Sequence, residues 1–296
     1  MQQTGTTCEF SNSDSWVILS PIEQSIKRKI ESVGTPLKDW DINIYRGVLT
    51  GYNEAFIIST EKRDEILANC QSDDERKRTE ELIRPILRGR DIKRYGYNWA
   101  GLYLIATFPS RHYDIEKYPA VKNYLLSFGI ERLEQTGKEH NVNGEKIKAR
   151  KKTNNKWFET QDSISYWEDF DKPKILYSEI VQAPQFYLDR EGSFLPEATC
   201  FLLVGNNLDY LYRILHSNIV TFFFKKYYAG GGLGDHGYRY KKAFFEKLPV
   251  PLWTSSDVQK FIAESNPIID IEHKIASIYT LTSQEIDYII SVTQYQ

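Results

Sequence analysis

The chain has 296 residues, of which 41% are hydrophobic and 26% are charged, and its net charge at neutral pH is −2. This composition is typical of a globular protein that buries a core. It excludes a protein that attracts nucleic acid through an overall positive field, so any nucleic-acid site has to be a local basic patch.

The cysteines indicate a reducing environment. Cys8, Cys70 and Cys200 are far apart and odd in number, without a CxxC pair or a histidine at ligand spacing. This pattern argues against both a disulfide framework and a zinc site. The sequence has no apolar run of transmembrane length and no signal-peptide pattern, so we expect a cytoplasmic protein. The 20 tyrosines exceed the needs of a core and suit a polar recognition surface.

The N-terminal part predicts a linker, a helix and a turn. Residues 1–15 are polar and indicate a linker or a cut inside a longer protein. Ser20 and Pro21 predict the start of a helix that ends at Gly34. A tight turn at 47–51 then leads into a predicted buried strand at 55–58, and we expect free hydrogen-bonding groups on this turn.

The stretch Arg84–Tyr97 is the strongest local signal. Five of its fourteen positions are Arg or Lys, and Tyr95 and Tyr97 close the run. Pro85 and Gly89 break helix, so we expect the following arginines to lie on a turn. Guanidinium groups fit phosphates and guanine edges, and tyrosines can lie flat against sugars or bases. Charge alone is also compatible with a solvated loop.

The middle of the chain alternates predicted strands and helices. The predicted elements are a helical stretch at 61–79, strands at 102–108, 174–180 and 198–205, a helix at 115–129 and an apolar helix at 208–224. His216 in the last helix is predicted to be a core histidine. Beyond Pro251, helical segments are expected at 257–262, at 268–279 and from a capping box at Thr282 and Glu285. We expect these C-terminal helices to pack against the first helix or a partner surface.

Lys138–Lys156 is a second basic region, in which hydrophobic residues are nearly absent. We expect a mobile loop, because such a segment cannot bury itself. It is either a tolerated surface insertion or an arm that orders on binding phosphates. Trp157 and Phe158 are expected to anchor it to a core.

Residues 230–237 contain Gly-x-Gly-x-x-Gly. A dinucleotide site needs a strand before this motif and a helix after it, and the context here has neither in the required order. Clusters of Lys, Arg and Tyr flank the glycines at 225–228 and 238–242. This arrangement favours close approach of the backbone to a nucleic acid.

The motifs of several enzyme classes are absent from the sequence. There is no Walker A loop, no nucleophile elbow and no zinc-protease motif. The tetrapeptide Asn-Pro-Pro-aromatic of adenine methyltransferases is absent too, and Asn266–Ile269 lacks its second proline. The acids around Lys174 have the wrong spacing for a metal nuclease. We therefore expect this chain not to be an enzyme by itself.

The order of several motifs resembles the TaqI-like C-terminal specificity domain. The motifs are Arg-Gly…Thr-Gly-Tyr-Asn-Glu-Ala-Phe at 46–56, Arg-Pro-Ile-Leu-Arg-Gly-Arg-Asp-Ile at 84–92, Trp-Phe-Glu at 157–159, Lys-Pro-Lys-Ile-Leu-Tyr at 172–177, Leu-His-Ser at 215–217 and Leu-Pro-Val-Pro at 248–251. The family usually has Asn where His216 stands. Such domains recognise the DNA target in restriction–modification proteins that fuse an adenine-N6 methyltransferase, often with a nuclease, into one chain.

The resemblance implies an α+β fold with a mixed β-sheet recognition domain and flanking N- and C-terminal helices. It implies a linker at 1–15, a target-recognition domain at 16–253 and a C-terminal helical segment at 254–296. It also implies that the chain is a fragment and that the methyltransferase lies upstream. Cofactors are then expected only in the missing part: S-adenosylmethionine, and Mg²⁺ if a nuclease is fused.

The expected partners are double-stranded DNA and the upstream catalytic domain, with no membrane. The residues expected to bind DNA are Arg46, Thr50, Asn53, Arg88, Arg90, Lys93, Arg94, Lys148, Arg150, Lys151, Lys152, Lys156, Tyr177, Gln182, Lys225, Lys226, Arg239, Lys241 and Lys242. Phosphate contacts position such a protein, and polar side chains read the bases. The alternatives are a protein-interaction module that docks a separate methylase or nuclease and, less favoured, a stand-alone nuclease.

Overall fold

The structure is a computed structural model that describes residues 19–229, 237–264 and 268–293. The chain forms two compact units. We call residues 45–178 and 187–204 the sheet unit, and residues 1–44, 179–186 and 205–296 the helical unit. The predicted linker at 1–15 and most of the glycine loop at 230–237 lie outside the described residues.

Within the described ranges the helices are α1 (Pro21–Val33), α2 (Asn53–Phe56), α3 (Thr60–Ala68), α4 (Asp73–Leu82), α5 (Pro119–Leu126), α6 (Ile130–Leu133), α7 (Leu208–Leu215), α8 (Asn218–Phe223), α9 (Lys242–Phe245), α10 (Ser255–Glu264), α11 (Ile268–Ile278) and α12 (Ser283–Thr293). Short 3₁₀ turns occur at Leu37–Asp39, Gly89–Asp91, Pro109–Arg111, Ile115–Lys117 and Trp167–Asp171, and a π-helical turn at Phe224–Tyr228.

The strands of the same ranges are β1 (Thr35–Pro36), β2 (Ile42–Arg46), β3 (Ile57–Ser59), β4 (Ile83–Leu87), β5 (Ile92–Lys93), β6 (Gly96–Tyr97), β7 (Leu102–Ile105), β8 (Glu139–Val142), β9 (Glu145–Lys148), β10 (Lys174–Ser178), β11 (Ile180–Val181), β12 (Phe186–Asp189), β13 (Leu195–Pro196), β14 (Cys200–Gly205), β15 (Tyr238–Arg239) and β16 (Pro249–Val250). The predicted α+β fold with flanking helices is confirmed.

A mixed four-stranded sheet forms the centre of the sheet unit, in the order β13-β4-β7-β3. β13 runs parallel to β4, and the other neighbours are antiparallel. Apolar side chains such as Phe56, Ile86 and Leu104 are fully buried, and they belong to one continuous core. A second sheet has the order β12-β10-β14-β2, in which β10 pairs antiparallel with β14.

A buried glutamate connects two helices of the sheet unit. Glu75 on α4 is 2% exposed, and its Oε1 accepts a hydrogen bond of 2.8 Å from the backbone N–H of Ala120. Ala120 lies in the first turn of α5, where backbone N–H groups have no partner within the helix. The carboxylate therefore fixes the start of α5 relative to α4 and also suits the positive end of the helix dipole.

The capping box predicted at Thr282 and Glu285 is confirmed, and the helix start predicted at Ser20 is a capping box as well. At the start of α1 the Ser20 hydroxyl accepts from the Glu23 N–H, and the Glu23 carboxylate accepts from the Ser20 N–H. Thr282 and Glu285 form the same reciprocal pair at the start of α12. Such caps satisfy N–H groups that the helix itself leaves unpaired.

The two capping glutamates also join α1 to α12. Glu285 accepts hydrogen bonds from the Ser25 hydroxyl at 2.8 Å and the Lys29 ammonium at 2.7 Å, and the Tyr288 hydroxyl donates to Glu23 at 2.6 Å. Burial alone would raise the pKa of Glu23, but hydrogen bonds from Lys226, Tyr288 and Ser20 outweigh it and lower this pKa to about 2. The expectation that a C-terminal helix packs on the first helix is confirmed.

Two predicted elements are wrong. The apolar helix predicted at 208–224 is interrupted, because the Ser217 hydroxyl accepts from the Val220 N–H at 3.0 Å and begins α8 as a new helix. His216 at this break is 3% exposed, as expected of a core histidine. The strand predicted at 55–58 begins instead as the short helix α2, and only Ile57–Ser59 pairs in the sheet. The helical stretch predicted at 61–79 is divided into α3 and α4, and α10 extends beyond the predicted 257–262. The strands predicted at 102–108, 174–180 and 198–205 are present with shorter bounds.

Candidate nucleic-acid interface

The segment 88–99 of the sheet unit forms a short hairpin, which we call the basic hairpin. After β4 the chain makes a 3₁₀ turn at Gly89–Asp91, and β5 then pairs antiparallel with β6. The register places Lys93 opposite Gly96, so Arg94 and Tyr95 form the tip. Tyr95 has a φ of 67°, in the left-handed region that non-glycine residues rarely adopt.

Gly89 seats the hairpin against the neighbouring strands. Its backbone N–H donates to the Thr199 Oγ1 at 2.9 Å. A Cβ atom at this position would lie 2.7 Å from the Ser178 Oγ and 3.0 Å from the Thr199 carbonyl oxygen. Only glycine therefore permits this close approach, and the turn that was predicted from Gly89 is a fixed one.

Hydrogen bonds between Arg88 and Asp91 stabilise the turn. The Asp91 carboxylate accepts from the Arg88 backbone N–H, from its Nε at 2.9 Å and from its Nη2 at 2.8 Å. Burial alone would raise the pKa of Asp91, but the hydrogen bonds and charge of Arg88 outweigh it and hold this pKa below its usual value. The forked pairing gives Arg88 a positioning role inside the hairpin, in addition to any contact with DNA.

Arg90, Lys93 and Arg94 lie on the outside of the hairpin, and all three side chains are exposed. The Lys93 ammonium donates to the Arg90 carbonyl oxygen at 2.7 Å, and the Arg94 guanidinium lies 5.2 Å from the centre of the Tyr95 ring. Within the part of the chain that the structure describes, the Arg90 side chain has no ion-pair partner. The hairpin therefore presents positive charge to solvent.

Three exposed aromatic residues lie at alternate positions of the segment 95–99, and we call them the aromatic face: Tyr95, Tyr97 and Trp99. They are 42%, 40% and 37% exposed, respectively. The Tyr97 ring packs at 4.6 Å on Tyr187 and at 4.8 Å on Phe194. Large aromatic side chains that are both supported from below and open to solvent are typical of binding surfaces. The spacing of two residues between these aromatics could have revealed Trp99, which sequence reasoning missed.

A buried ion pair supports the aromatic face from below. The Lys174 ammonium, which is fully buried, donates to Asp189 at 2.8 Å and to the Phe170 carbonyl oxygen at 2.7 Å. Asp189 also accepts from the backbone N–H groups of Ser193 and Phe194, both at 3.0 Å. Burial lowers the pKa of Lys174 despite this partner. The pair holds the turn that carries Phe194, so Lys174 has a structural role.

The prediction of an unstructured loop at 138–156 is wrong. Its first half is a hairpin, in which β8 pairs with β9 and Val142 lies opposite Glu145. Asn143 and Gly144 form its two-residue turn, with φ angles of 53° and 88°. Asn-Gly is the preferred pair for such turns, so this dipeptide was the signal that sequence reasoning missed. Lys146 and Lys148 are exposed on β9.

Arg150 does not clamp DNA backbone in this structure, because its guanidinium is buried. The side chain is 4% exposed and donates to four carbonyl oxygens at 2.6–2.8 Å, those of Leu133, Thr50, Glu159 and Trp157. Burial lowers its pKa to about 10, although Glu159 partly opposes this shift. Arg150 thus fastens the basic segment to the body of the sheet unit.

Side-chain amides fix the rest of this segment. Gln135 donates to the Glu159 carbonyl oxygen at 3.0 Å, and Asn155 donates to that of Gln161 at 2.8 Å. Lys151, Lys152 and Lys156 are nevertheless exposed, as is Lys148 on the hairpin before them. Throughout residues 19–229, none of these four ammonium groups has a carboxylate partner. The backbone of this segment is therefore held in place, while these four exposed lysines present positive charge to solvent.

The polar residues proposed to read bases have different surroundings. Thr50 and Tyr177 are fully buried, and the Thr50 hydroxyl donates to the Asn53 Oδ1 at 2.6 Å, so the expectation of free groups on that turn is wrong for Thr50. Asn53 and Gln182 are exposed. Arg46 is also exposed, and its Nε donates to the Ala198 carbonyl oxygen at 3.1 Å.

The third predicted cluster belongs to the helical unit. Lys226 pairs with Glu23 at 2.6 Å, and the Lys225 ammonium lies 5.2 Å from the Tyr238 ring. Burial lowers the pKa of Lys225. Arg239 is half-buried, whereas Lys241 and Lys242 are exposed. Residues 230–236 between these groups lie outside the described residues.

Two further features bear on the class of protein. Among the described side chains, no group of three or more His, Cys, Asp or Glu residues is placed to hold a metal ion. No described helix has the length and apolar character that a membrane span requires.

Exposed cations beside exposed, rigidly supported aromatic rings are typical of a nucleic-acid-binding surface. Comparison with known families agrees with this class. The family of TaqI-like C-terminal specificity domains matches residues 84–250, which is more than half of the chain. The chain therefore belongs to this family, and its role is DNA target recognition.

Two solved structures share the fold. The type IIG restriction endonuclease BpuSI superposes with a TM-score of 0.55 at 10% identity, over 92% of this chain and 32% of that one. The type IIL restriction–modification enzyme MmeI, solved in complex with DNA, has a TM-score of 0.56 at 11% identity, over 88% of this chain and 36% of that one. The chain thus spans about a third of the length of these enzymes.

Proposed function

We propose that this chain holds duplex DNA for a restriction–modification protein and that the basic hairpin is its principal contact. The observation that carries this proposal is the rigid display of Arg90, Lys93 and Arg94 beside the aromatic face. The net charge of the chain is −2, so DNA binding has to rely on such a local patch. A patch whose backbone is already fixed loses little conformational entropy on binding.

Charged and uncharged polar side chains have different roles in the proposed interface. The exposed cations of the hairpin grip phosphates, and the lysines at 148, 151, 152 and 156 add backbone contacts from a second fixed segment. The exposed amide of Asn53 is a candidate for reading base edges in the sheet unit, and that of Gln182 is a separate candidate in the helical unit. Thr50, Arg150 and Tyr177 are buried, and we leave them out of the proposed contact set.

The catalytic steps belong, in this proposal, to other parts of the assembly. The chain by itself performs no chemistry and directs an adenine-N6 methyltransferase, with or without a nuclease, to its site. S-adenosylmethionine, and Mg²⁺ for cleavage, would bind in those parts. A methylated adenine has to leave the helix to reach a catalytic pocket, so a recognition domain that grips the flanking backbone supports that step. The span of about a third of BpuSI and MmeI supports this division.

Charge reversal tests the proposal. Arg90→Glu combined with Arg94→Glu should abolish binding of the full chain to duplex DNA, because two attractions become repulsions on one edge. The matched control is Arg76→Glu with Lys77→Glu, which changes the same charge on the exposed face of α4. Fluorescence anisotropy with a labelled duplex gives the dissociation constants, and thermal unfolding checks the fold.

The control pair also reports on general electrostatics. If both double variants weaken binding equally, the chain responds to its overall charge and the hairpin has no special role. If neither does, while pull-down of a separate methylase or nuclease depends on the chain, the protein-interaction alternative is favoured instead.

A further inference from the structure

A cleft of about 190 Å³ lies within the sheet unit, apart from the exposed tip of the basic hairpin. We call it the arginine cleft, because its lining includes three arginines beside aromatic residues: Arg78, Arg84, Arg111, Tyr113, Tyr118 and Trp167. The arginines come from α4, from β4 and from the 3₁₀ turn at 109–111. Like charges gathered from three separate elements repel one another, so the arrangement calls for a compensating group.

Arg111 is the most available of the three arginines. Its guanidinium stacks 3.9 Å above the Trp167 ring and lies 5.5 Å from the Tyr113 ring. No described carboxylate pairs with it. A guanidinium that is held by its flat face keeps its N–H groups at the edge, where they can bind the oxygens of an anion in pairs.

Arg78 also has donor capacity to spare. Its Nη2 donates to the Lys117 carbonyl oxygen at 3.2 Å, but its Nε is buried and has no hydrogen-bond partner among the described residues. A buried donor without an acceptor is unfavourable, because it has lost its hydrogen bonds to water and gained none in return. An acceptor that enters the cleft would remove this penalty.

Arg84, by contrast, is already neutralised. It pairs with Asp171 at 2.9 Å and also donates to the Gly192 carbonyl oxygen at 3.4 Å. Glu81 also lines the cleft. Arg78, Arg111 and Glu81 then leave a balance of one positive charge, which matches one phosphodiester group. Phe108 and Phe170 line the cleft too, and both are almost fully buried, so the charges face an apolar floor that strengthens their interaction.

The size of the cleft limits the ligand. Sites that enclose a whole small molecule measure about 300–1,000 Å³, so a cleft of about 190 Å³ accepts only a part of a larger chain. We propose that the arginine cleft binds one backbone phosphate of a nucleic-acid strand and anchors DNA at a second point. Arg84 is the second residue of β4, and Arg88 directly follows this strand. The cleft and the hairpin are therefore about 13 Å apart along β4. This inference rests on the proposed function.

The test is a salt titration of DNA binding by the full chain. The variant Arg78→Gln/Arg111→Gln removes the spare donors, and Arg76→Gln is the control on the same helix. Each phosphate contact contributes about 0.9 to the slope of log affinity against log salt. We expect the double variant to lower this slope by about 1 and the affinity by about tenfold. The control should change neither.

One further variant and two small probes sharpen the test. Arg111→Lys keeps the charge but loses the stack, so it should retain the slope and lose part of the affinity. If the wild type binds DNA and the double variant behaves like the control, the anchor is wrong and the hairpin proposal is unaffected. If the wild type does not bind DNA at all, both proposals are wrong. If inorganic phosphate or dAMP stabilises the wild type through Arg111, while DNA affinity is unchanged in the double variant, the cleft serves a small anion and the strand anchor is wrong.

Discussion

The basic hairpin and the second basic segment, residues 138–156, divide their arginines and lysines in the same way but differ in their exposed aromatic residues. Each segment places one arginine inside, where Arg88 pairs with Asp91 and Arg150 donates to four carbonyl oxygens. Each leaves its remaining cations in solvent. Only the hairpin adds an exposed aromatic face. The basic residues of such a segment therefore fall into two groups, one that stabilises the segment and one that is exposed to solvent.

The largest expected effect is a loss of stability when the buried arginine of the second basic segment is replaced. Arg150→Met leaves the carbonyl oxygens of Leu133, Thr50, Glu159 and Trp157 without this donor, so the free energy of unfolding should fall by about 3 kcal/mol or more. The neighbouring variant Lys151→Met should change it by less than about 0.5 kcal/mol, because that side chain is exposed. Urea denaturation measures both. Equal effects would contradict the division into inner and outer cations.

The next effect concerns the seat of the basic hairpin. Gly89→Ala brings a Cβ to 2.7 Å from the Ser178 Oγ, so the turn or its neighbours have to shift. We expect a loss of about 1–3 kcal/mol in stability, together with weaker DNA binding. Gly144→Ala is a useful contrast, because no atom lies within 4 Å of the added Cβ and only the positive φ opposes it. Thermal unfolding and anisotropy would show whether DNA affinity follows the hairpin alone.

The aromatic face should matter for binding and little for stability. Tyr97→Ala removes an exposed ring that rests on Tyr187 and Phe194, and we expect DNA affinity to fall by about 3- to 10-fold. Tyr97→Phe keeps the ring and should retain most of the affinity. If the alanine variant binds normally, the aromatic face does not contact DNA and the difference between the two basic segments loses its functional meaning.

The smallest expected effect is a loss of stability at acidic pH. The folded-state pKa of Asp91 lies below its ordinary value of 3.8, so the pair with Arg88 stabilises the protein fully above that pH. This stability is lost as the pH falls through 3.8 and towards the folded-state pKa. Asp91→Asn should be less stable at neutral pH and should lack this part of the acid dependence. Unfolding free energies measured between pH 5 and about pH 3 would show the expected convergence of the two proteins.

Local signals could be read from the sequence. The capping box at Thr282, the helix start at Ser20 and the bend at Gly89 depend on residues within a few positions of one another, and all are present. The family motifs also identified the specificity domain. The hairpin at 139–148 was equally local, and the Asn143-Gly144 pair should have revealed it.

Long-range contacts could not be read in this way. Arg150 donates to the carbonyl oxygen of Thr50, which is 100 residues away in sequence. No local pattern distinguishes it from Lys151, because its burial depends on segments that only the fold brings together. The same holds for Tyr177, which lies in a strand whose five residues are all buried. Candidate contacts taken from charge and polarity alone thus included side chains that the fold uses internally.

The most direct test of the central claim is amide hydrogen exchange of the full chain with and without duplex DNA. The account predicts that DNA slows exchange in peptides that cover 88–99, with a smaller effect at 145–156 and none in the C-terminal helix α12. Unchanged exchange at 88–99, with protection instead confined to the C-terminal helix α12, would contradict the claim that the basic hairpin holds the DNA.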